Sequence, residues 1–330
     1  MFIKQFVGQE NLQKANELFE KVRQSLIEMF QENTWIDKKL IPFLIEEVNE
    51  MKISMGIPDE YKNLKNIDKM YAKIGEDYKN QSYLTLVRNL LKMNSEETIL
   101  RVARMEQITY AKSQPKGLSL MQTAHISHPG HRITYPASRL NVPIMHKSLP
   151  EWVNIGSIAF NMAHELGHAF DSNRFFKNKF QTNYNLSIDS TKTEFSKRLK
   201  CVEKQFDQFQ FPDGTFSKGS RTIKEDISDK IGFDIAFRIF KKLESNSTFQ
   251  QLPGLENFTP EQLFFQRLGQ VWCTKKMTNE KIRSFGKDVH SAPKFRTNGM
   301  MQNSKDFSRA FGCELGSPMN PKIKCQIFDE

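Results

Sequence analysis

Apolar residues recur at helical spacing through the first third of the chain. Leu18, Val22 and Leu26 are each four residues apart and continue a stripe of apolar positions along one helix face. The helices predicted in this part of the chain are residues 11–30, 34–51, about 67–75 and 82–93. Gly56-Ile57-Pro58 is the stop signal expected after the second of them. Residues 1 to about 105 are therefore predicted to form a helical segment that serves as scaffold.

The pattern changes after residue 104, where short extended stretches replace the helical stripes. Residues 131–135 alternate ahead of a proline, which predicts strands of a small sheet. The run from Ile155 to Phe170 is apolar and free of proline, which predicts a buried helix. Further helices are predicted at residues 194–206 and 222–243. Prolines at positions 293, 318 and 321 indicate a loop-rich end, so the predicted class is mainly α, with a small sheet (α+β).

Composition and charge exclude several classes of protein. The chain has 330 residues, of which 38% are hydrophobic and 27 are Phe, enough to build a sizeable core. Its formal charge of +10 is spread over Lys and Arg interleaved with Asp and Glu, which is typical of a solvated surface and not of a nucleic-acid site. There is no apolar run long enough to cross a bilayer and no secretory h-region at the start, so neither a membrane segment nor a signal peptide is predicted. Nothing in the sequence indicates an oligomeric state.

The predicted buried helix contains the pattern H-E-x-x-H at residues 164–168. Because residues four apart lie on one helix face, His164 and His168 point the same way and can hold one Zn²⁺. Glu165, next to them, can take a proton from a zinc-bound water. The alternative is a pair of core histidines beside a glutamate without catalytic role. A third ligand elsewhere in the sequence would favour the zinc site over the pair of core histidines.

A later predicted helix offers that ligand. Glu225 and Asp229 form an E-x-x-x-D pattern, which places both carboxylates on one face, one turn apart. Glu225 would complete a His₂Glu set and leave the fourth position for water. Asp229 could accept the free ring N–H of His164 and fix its tautomer. The alternative is a solvent-exposed acidic turn. The presence of H-E-x-x-H and E-x-x-x-D in the same chain favours the metal site over it.

These residues belong to a longer series of motifs. Where a known family has H-E-[LIM]-x-H-x-F-D, this chain reads His164 to Asp171, and where it has E-N-I-A-D, the chain reads Glu225-Asp226-Ile227-Ser228-Asp229. The series continues with residues 259–265, Trp272-Cys273, the tail from Asp288 to Cys325, and, nearer the start, residues 35–37 and 56–59. In this order the motifs resemble the C-terminal half of the neprilysin and endothelin-converting enzyme family of zinc metallopeptidases. The resemblance covers essentially the whole chain.

The resemblance implies a thermolysin-like zinc metallopeptidase catalytic domain at residues 106–330, preceded by part of a helical lobe at residues 1–105. It implies one Zn²⁺ per chain, held by His164, His168 and Glu225. Members of the family cleave small peptides at the cell surface or outside the cell. The same substrates and location are therefore expected here.

The resemblance also implies roles for residues around the metal. Glu165 resembles the general base, and Asp229 resembles a carboxylate described either as a proton donor or as a partner of the ligand histidine. We favour the second role, because a carboxylate paired with an imidazole should stay ionised. His290 is expected to stabilise the oxyanion of the reaction, oriented by Asp288, and Arg296 to grip a substrate carbonyl.

By the same resemblance, Cys201 is expected to pair with Cys325 inside this chain. Family members are considerably longer, and the partners of Cys273 and Cys313 would lie upstream of Met1. The chain is therefore expected to be either a fragment or short paralogue of a longer protein, or a protein with two free thiols.

Two positions depart from the family pattern. The substrate-binding edge strand usually reads N-A-[YF], but here it is Thr123-Ala124-His125, and a threonine lacks the paired donor and acceptor of an amide. Asn161, one turn before His164, replaces an apolar residue that lines a substrate pocket and should weaken a preference for large apolar side chains.

The function predicted from the sequence is a zinc-dependent metalloendopeptidase acting on small peptides. One alternative is a catalytically impaired or truncated paralogue that binds peptides without cleaving them, which the two departures favour. A second is a basic nucleic-acid-binding protein with relic motifs, which a steep loss of binding with added salt would support.

Overall fold

The computed structural model describes residues 3–56, 63–72, 80–103, 124–127, 132–172, 174–176, 189–245, 249–275 and 278–328. Contacts between residues divide the chain into two compact units. The first comprises residues 1–12 and 51–141, and the second comprises residues 13–50 and 142–330. The predicted domain boundary near residue 105 falls outside the described residues and stays a prediction.

The first unit contains a small sheet of three strands. These are β1 (Lys52–Gly56), β2 (His125–Ser127) and β3 (Arg132–Pro136), in the order β1-β3-β2. β1 is parallel to β3, with Lys52 opposite Arg132, and β2 is antiparallel to β3. The sheet predicted from the alternating residues is confirmed, whereas the sequence analysis did not predict β1. Two helices, α3 (Leu64–Tyr71) and α4 (Tyr83–Ala103), also belong to this unit.

Apart from one isolated β-bridge between Gln210 and Phe216, the elements described in the second unit are helices. Helix α1 (Gln9–Glu32) starts in the first unit and continues into the second, where α2 (Ile41–Glu50) follows. The remaining helices are α5 (Glu151–Asn154), α6 (Phe160–Gly167), α7 (Asp189–Phe206), α8 (Gly219–Ser245), α9 (Pro260–Gln270), α10 (Asn279–Phe285), α11 (Pro293–Gln302) and α12 (Lys305–Ala310). A π-helical turn (Ile155–Ala159) joins α5 to α6, and a 3₁₀ turn (His168–Phe170) extends α6. The predicted mainly helical α+β class is confirmed.

The second helix starts later than the sequence predicted. It was expected from Thr34 but begins at Ile41, because side chains hold the intervening backbone in turns. Asn33 Oδ1 accepts the backbone N–H of Ile36 at 2.9 Å. Asp37 Oδ1 accepts that of Lys39 at the same distance, 2.9 Å. Short polar side chains of this kind compete with helical hydrogen bonds and favour turns.

The prediction of a loop-rich end is wrong for residues 260–310, where four short helices form. Pro293 occupies the first turn of α11, where its missing N–H costs nothing and its fixed φ suits a helix. Pro260 does the same in α9, which Thr259 and Gln262 close with a reciprocal capping box. Pro260 and Pro293 begin helices, while beyond α12 Pro318 lies in a turn and Pro321 in irregular backbone.

Helices α6 and α8 pack against each other unusually closely, and glycines make this possible. A Cβ on Gly232 of α8 would lie 2.9 Å from the backbone N of His164. A Cβ on Gly167 would lie 3.3 Å from Cα of Ser228. Such distances exclude a side chain without movement of one helix, so these glycines set the separation of the two helices.

Aromatic side chains fill the core beside α7 and the C-terminal segment. Phe195 and Phe328 stack with ring centroids 6.2 Å apart, Trp35 stacks on both, and Phe175 contacts all three rings. Near this cluster the predicted disulfide between Cys201 and Cys325 is confirmed, and it ties α7 to the end of the chain. Cys273 is exposed and Cys313 half-buried, and neither forms a disulfide in the described part of the chain. Within the described ranges, no helix combines the length and apolar character that a bilayer crossing requires.

Candidate metal centre

Three predicted ligands converge between α6 and α8. His164 Nε2 and His168 Nε2 lie 3.2 Å apart. Glu225 Oε2 lies 3.4 Å from the first of these nitrogens, and Glu225 Oε1 lies 3.6 Å from the second. All three residues thus offer a ligand atom within 4.8 Å of the others, as expected for a group that can hold a metal ion.

The donor set fits zinc in its chemistry as well as its geometry. Two imidazole nitrogens and one carboxylate are the protein ligands of a catalytic zinc site with an open position. Glu225 Oε2 is buried and makes no close hydrogen bond among the described residues, since the nearest nitrogens, those of His164 and His290, lie 3.4 Å away. A buried carboxylate oxygen without a partner is costly, and a cation at this point would remove that cost.

Helix α8 also supplies a partner for the outer nitrogen of each histidine. His164 Nδ1 lies 2.8 Å from Asp229 Oδ1, the contact that the E-x-x-x-D spacing predicted. His168 Nδ1 lies 2.9 Å from Ser228 Oγ, a contact that the sequence analysis did not anticipate. The signal was present in the spacing, because positions 225, 228 and 229 fall on one helix face.

Asp229 is held by a buried arginine. Arg296 Nε lies 2.5 Å from Asp229 Oδ2, and its Nη2 lies 2.7 Å from Oδ1, a two-pronged contact typical of a strong arginine–carboxylate pair. Arg296 is only 5% exposed, and its guanidinium lies 3.9 Å from the centroid of the Trp272 ring. The same group lies 3.7 Å from Glu225 Oε2. The structure therefore turns Arg296, predicted to grip substrate, towards the carboxylates behind the metal site.

These contacts shift the pKa values of the site in opposite directions. Burial alone would raise the pKa of Asp229, but Arg296 and His164 outweigh it and lower the pKa to about 2. Burial would likewise raise the pKa of Glu225, but His164, His168 and His290 bring it to about 2. Burial would lower the pKa of His164, but Asp229 and Glu225 raise it to about 9. Glu225 is therefore ionised at neutral pH, as metal binding requires, whereas His164 must release a proton when metal binds.

A third acidic residue of α8, Asp226, behaves differently from Glu225 and Asp229. Asp226 is buried and accepts a hydrogen bond of 2.6 Å from Thr222 Oγ1. Its burial, with a smaller contribution from the charge of Asp229, raises its pKa well above the ordinary value. No role for Asp226 was predictable from the spacing of the motif residues.

His290 and Asp288 lie at the same site. His290 Nδ1 is 2.8 Å from Asp288 Oδ1, which also accepts the backbone N–H of His290 at 2.9 Å. The opposite ring nitrogen, Nε2, lies 3.4 Å from Glu225 Oε2. The His290 side chain is 47% exposed, so it can meet a molecule arriving from solvent. Asp288 thus orients an imidazole that faces the metal ligands.

The other predicted site residues are placed less completely. Glu165 is 7% exposed and lies on α6 beside His164, and Asn161, on the same helix, is half-buried. Ala124 directly precedes β2 in the first unit, and Thr123 lies outside the described residues.

Comparisons with known proteins agree with this site. The sequence model of Peptidase family M13 matches residues 124–327. Neprilysin-3 of Drosophila melanogaster is 28% identical over 331 residues, covering 99% of this chain and 41% of the relative. Membrane metallo-endopeptidase-like 1 of Mus musculus is 28% identical over 336 residues, covering 99% of this chain and 43% of the relative. The chain therefore spans about two fifths of the length of these relatives.

Solved structures show the same fold. PEPO from Lactobacillus rhamnosis matches with a TM-score of 0.76 at 20% identity, covering 100% of this chain and 49% of that one. A zinc metalloprotease of Mycobacterium tuberculosis matches with a TM-score of 0.73 at 21% identity, covering 99% and 48% respectively. At such low identity the likeness concerns the fold alone, and it confirms the predicted mainly helical architecture.

Proposed function

Because the chain belongs to peptidase family M13, whose members are zinc metallopeptidases, we propose that it carries the catalytic site of a zinc-dependent metalloendopeptidase acting on small peptides. The observation that carries the proposal is the convergence of His164 Nε2, His168 Nε2 and the Glu225 carboxylate on one point. Zinc held there supplies a Lewis acid that polarises a peptide carbonyl and makes a water molecule easier to deprotonate.

Glu165 is the group we assign to proton transfer. It is buried and adjacent to a metal ligand on the same helix. It takes the proton of the attacking water and returns it to the amine that leaves when the peptide bond breaks. His290, held by Asp288 at 2.8 Å, stabilises the negative charge that develops on the carbonyl oxygen.

Asp229 and Arg296 support the site from behind in this proposal. The pair fixes the N–H of His164 on Nδ1, so that Nε2 keeps its lone pair for the metal. We retain Arg296 as a candidate contact for a substrate carbonyl, together with Thr123, Ala124 and Asn161 for the rest of the peptide. A polar Asn161 on the ligand helix favours substrates with smaller or more polar side chains at the position it meets.

We place the protein at the cell surface or outside the cell. A disulfide between Cys201 and Cys325 supports an oxidising compartment, where such bonds persist. The name of the mouse relative, Membrane metallo-endopeptidase-like 1, points the same way. The division into a helical segment, residues 1–105, and a catalytic domain, residues 106–330, is part of this proposal.

The test combines metal content with peptide cleavage. The purified chain is analysed for bound zinc and incubated with a quenched fluorescent peptide library, beside Glu165→Gln. We expect about one zinc per chain in both proteins and a loss of cleavage of about a hundredfold or more in the variant. Glu314→Gln makes the same chemical change at an exposed position and should cleave like the original chain. Zinc binding without any cleavage would instead support the peptide-binding alternative.

A further inference from the structure

We propose that Ser228 is a positioning residue of the metal site, whose hydroxyl accepts the Nδ1–H of His168 and leaves Nε2 of that histidine free to bind the metal. The inference rests on the proposed zinc site and adds to it a residue that the motif does not specify. Ser228 lies on α8 between Glu225, a proposed ligand, and Asp229, the partner of His164.

The contact is well placed for this role. Ser228 Oγ lies 2.9 Å from His168 Nδ1, in the normal range for a hydrogen bond, and the serine is completely buried. The nearest carboxylate offered to the same nitrogen is Asp171, whose Oδ2 is 3.9 Å away and too far to hydrogen-bond. Among the described residues, the hydroxyl is thus the group that decides which ring nitrogen carries the proton.

The direction of the hydrogen bond follows from the ring itself. A neutral imidazole has one N–H and one nitrogen with a lone pair. His168 Nε2 faces His164 Nε2 at 3.2 Å, on the side where the Glu225 carboxylate also lies, so this nitrogen must carry the lone pair if metal is to bind. The proton then sits on Nδ1, and Ser228 Oγ accepts it.

The two ligand histidines are consequently held in different ways. The partner of His164 is a carboxylate gripped by Arg296, which draws the proton of Nδ1 strongly and makes the imidazole a better donor to the metal. The partner of His168 is a neutral hydroxyl, which orients the ring and selects its tautomer without adding a charge. Removing the hydroxyl should therefore weaken metal binding and leave the charge balance of the site unchanged.

The experiment measures zinc affinity of the whole chain by competition with a fluorescent chelator, and thermal unfolding of the zinc-free chain. Ser228→Ala should lower zinc affinity about tenfold to a hundredfold, the usual effect of losing such a partner. Alanine favours the helix, and without zinc the ring of His168, whose side chain is 14% exposed, can turn its Nδ1–H to water. The zinc-free variant should therefore unfold at the temperature of the original chain or above it. Ser308→Ala is the matched control, since Ser308 is also buried in a helix and donates to Ser304 O at 3.1 Å, far along the chain from the ligands.

The inference is overturned if Ser228→Ala binds zinc within about twofold of the original chain, or if the control loses as much affinity. It is also overturned if the loss of affinity comes with an equal loss of stability in the zinc-free chain. If the original chain binds zinc and cleaves peptides but Ser228→Ala changes neither property, this inference is wrong and the proposed function stands. If the original chain binds no zinc, both the proposed function and this inference are wrong.

Discussion

The close approach of α6 and α8 can be tested at Gly232. In Gly232→Ala the new Cβ would lie 2.9 Å from His164 N, 3.1 Å from Phe160 O and 3.2 Å from His164 Cα. All three atoms belong to the backbone of the helix that carries the histidine ligands, so no side chain can rotate away. An ordinary contact begins at 3.4 Å, so the helices must separate by about half an ångström.

Two opposing contributions set the size of the effect. Alanine in place of glycine inside a helix stabilises it by about 1 kcal/mol. Forcing an extra methyl group into a packed interior costs about 1–3 kcal/mol. The zinc-free chain should therefore lose about 1 kcal/mol on balance. Zinc binding should suffer more, because metal–ligand distances tolerate only about 0.2 Å and the shift moves Glu225 away from His164.

The assay follows thermal unfolding with and without zinc, together with zinc affinity by chelator competition. Gly269→Ala is the control, because a Cβ there meets nothing nearer than 3.7 Å. The control should gain up to about 1 kcal/mol and bind zinc normally. If Gly232→Ala is as stable as the control and keeps its zinc affinity, the close helix contact does not set the geometry of the site.

Three further predictions concern the pair behind the metal and the disulfide. Asp229→Ala leaves Arg296 buried without its main partner, so the free energy of unfolding measured in urea should fall by about 3–5 kcal/mol. A decrease below about 1 kcal/mol would show that the pair contributes little to stability. Because the Asp229 pKa falls from 3.8 to about 2 on folding, its stabilisation is complete above pH 3.8 and is lost as pH falls through 2. That stabilisation is worth about 2 kcal/mol, so Asp229→Asn should unfold with a flatter pH dependence between pH 5 and pH 2, and parallel curves would contradict the assignment. Replacing Cys201 and Cys325 by serine opens a link across 124 residues and should cost up to about 5 kcal/mol, and an unchanged melting temperature would contradict a structural role.

The parts of the fold that were predictable are those with local signals. Helix α1 was predicted at residues 11–30 and spans Gln9–Glu32, because its apolar stripe repeats over about five turns. The ligands were predictable for the same reason, since spacings of four along α6 and α8 fix which side chains share a face. Strand β1 gave no such signal. It is five residues long and pairs with β3, which lies far along the chain, so its conformation depends on a distant partner.

Only those features of the site that depend on spacing within a single helix could be predicted from the sequence. The contact between Arg296 and Asp229 joins residues 67 positions apart, and the stacking of Arg296 on Trp272 depends on how three segments pack. Sequence spacing carries no information on either contact. The short C-terminal helices were missed because proline was taken as a loop signal at Pro293, where it marks the first turn of a helix.

The central claim is that one metal ion lies between α6 and α8, and anomalous diffraction tests it most directly. Crystals of the chain grown with zinc would be measured on both sides of the zinc absorption edge. The account predicts a single strong peak, about 2.0–2.2 Å from His164 Nε2, His168 Nε2 and a carboxylate oxygen of Glu225. A peak held by other residues, or no peak between these three side chains, would contradict it.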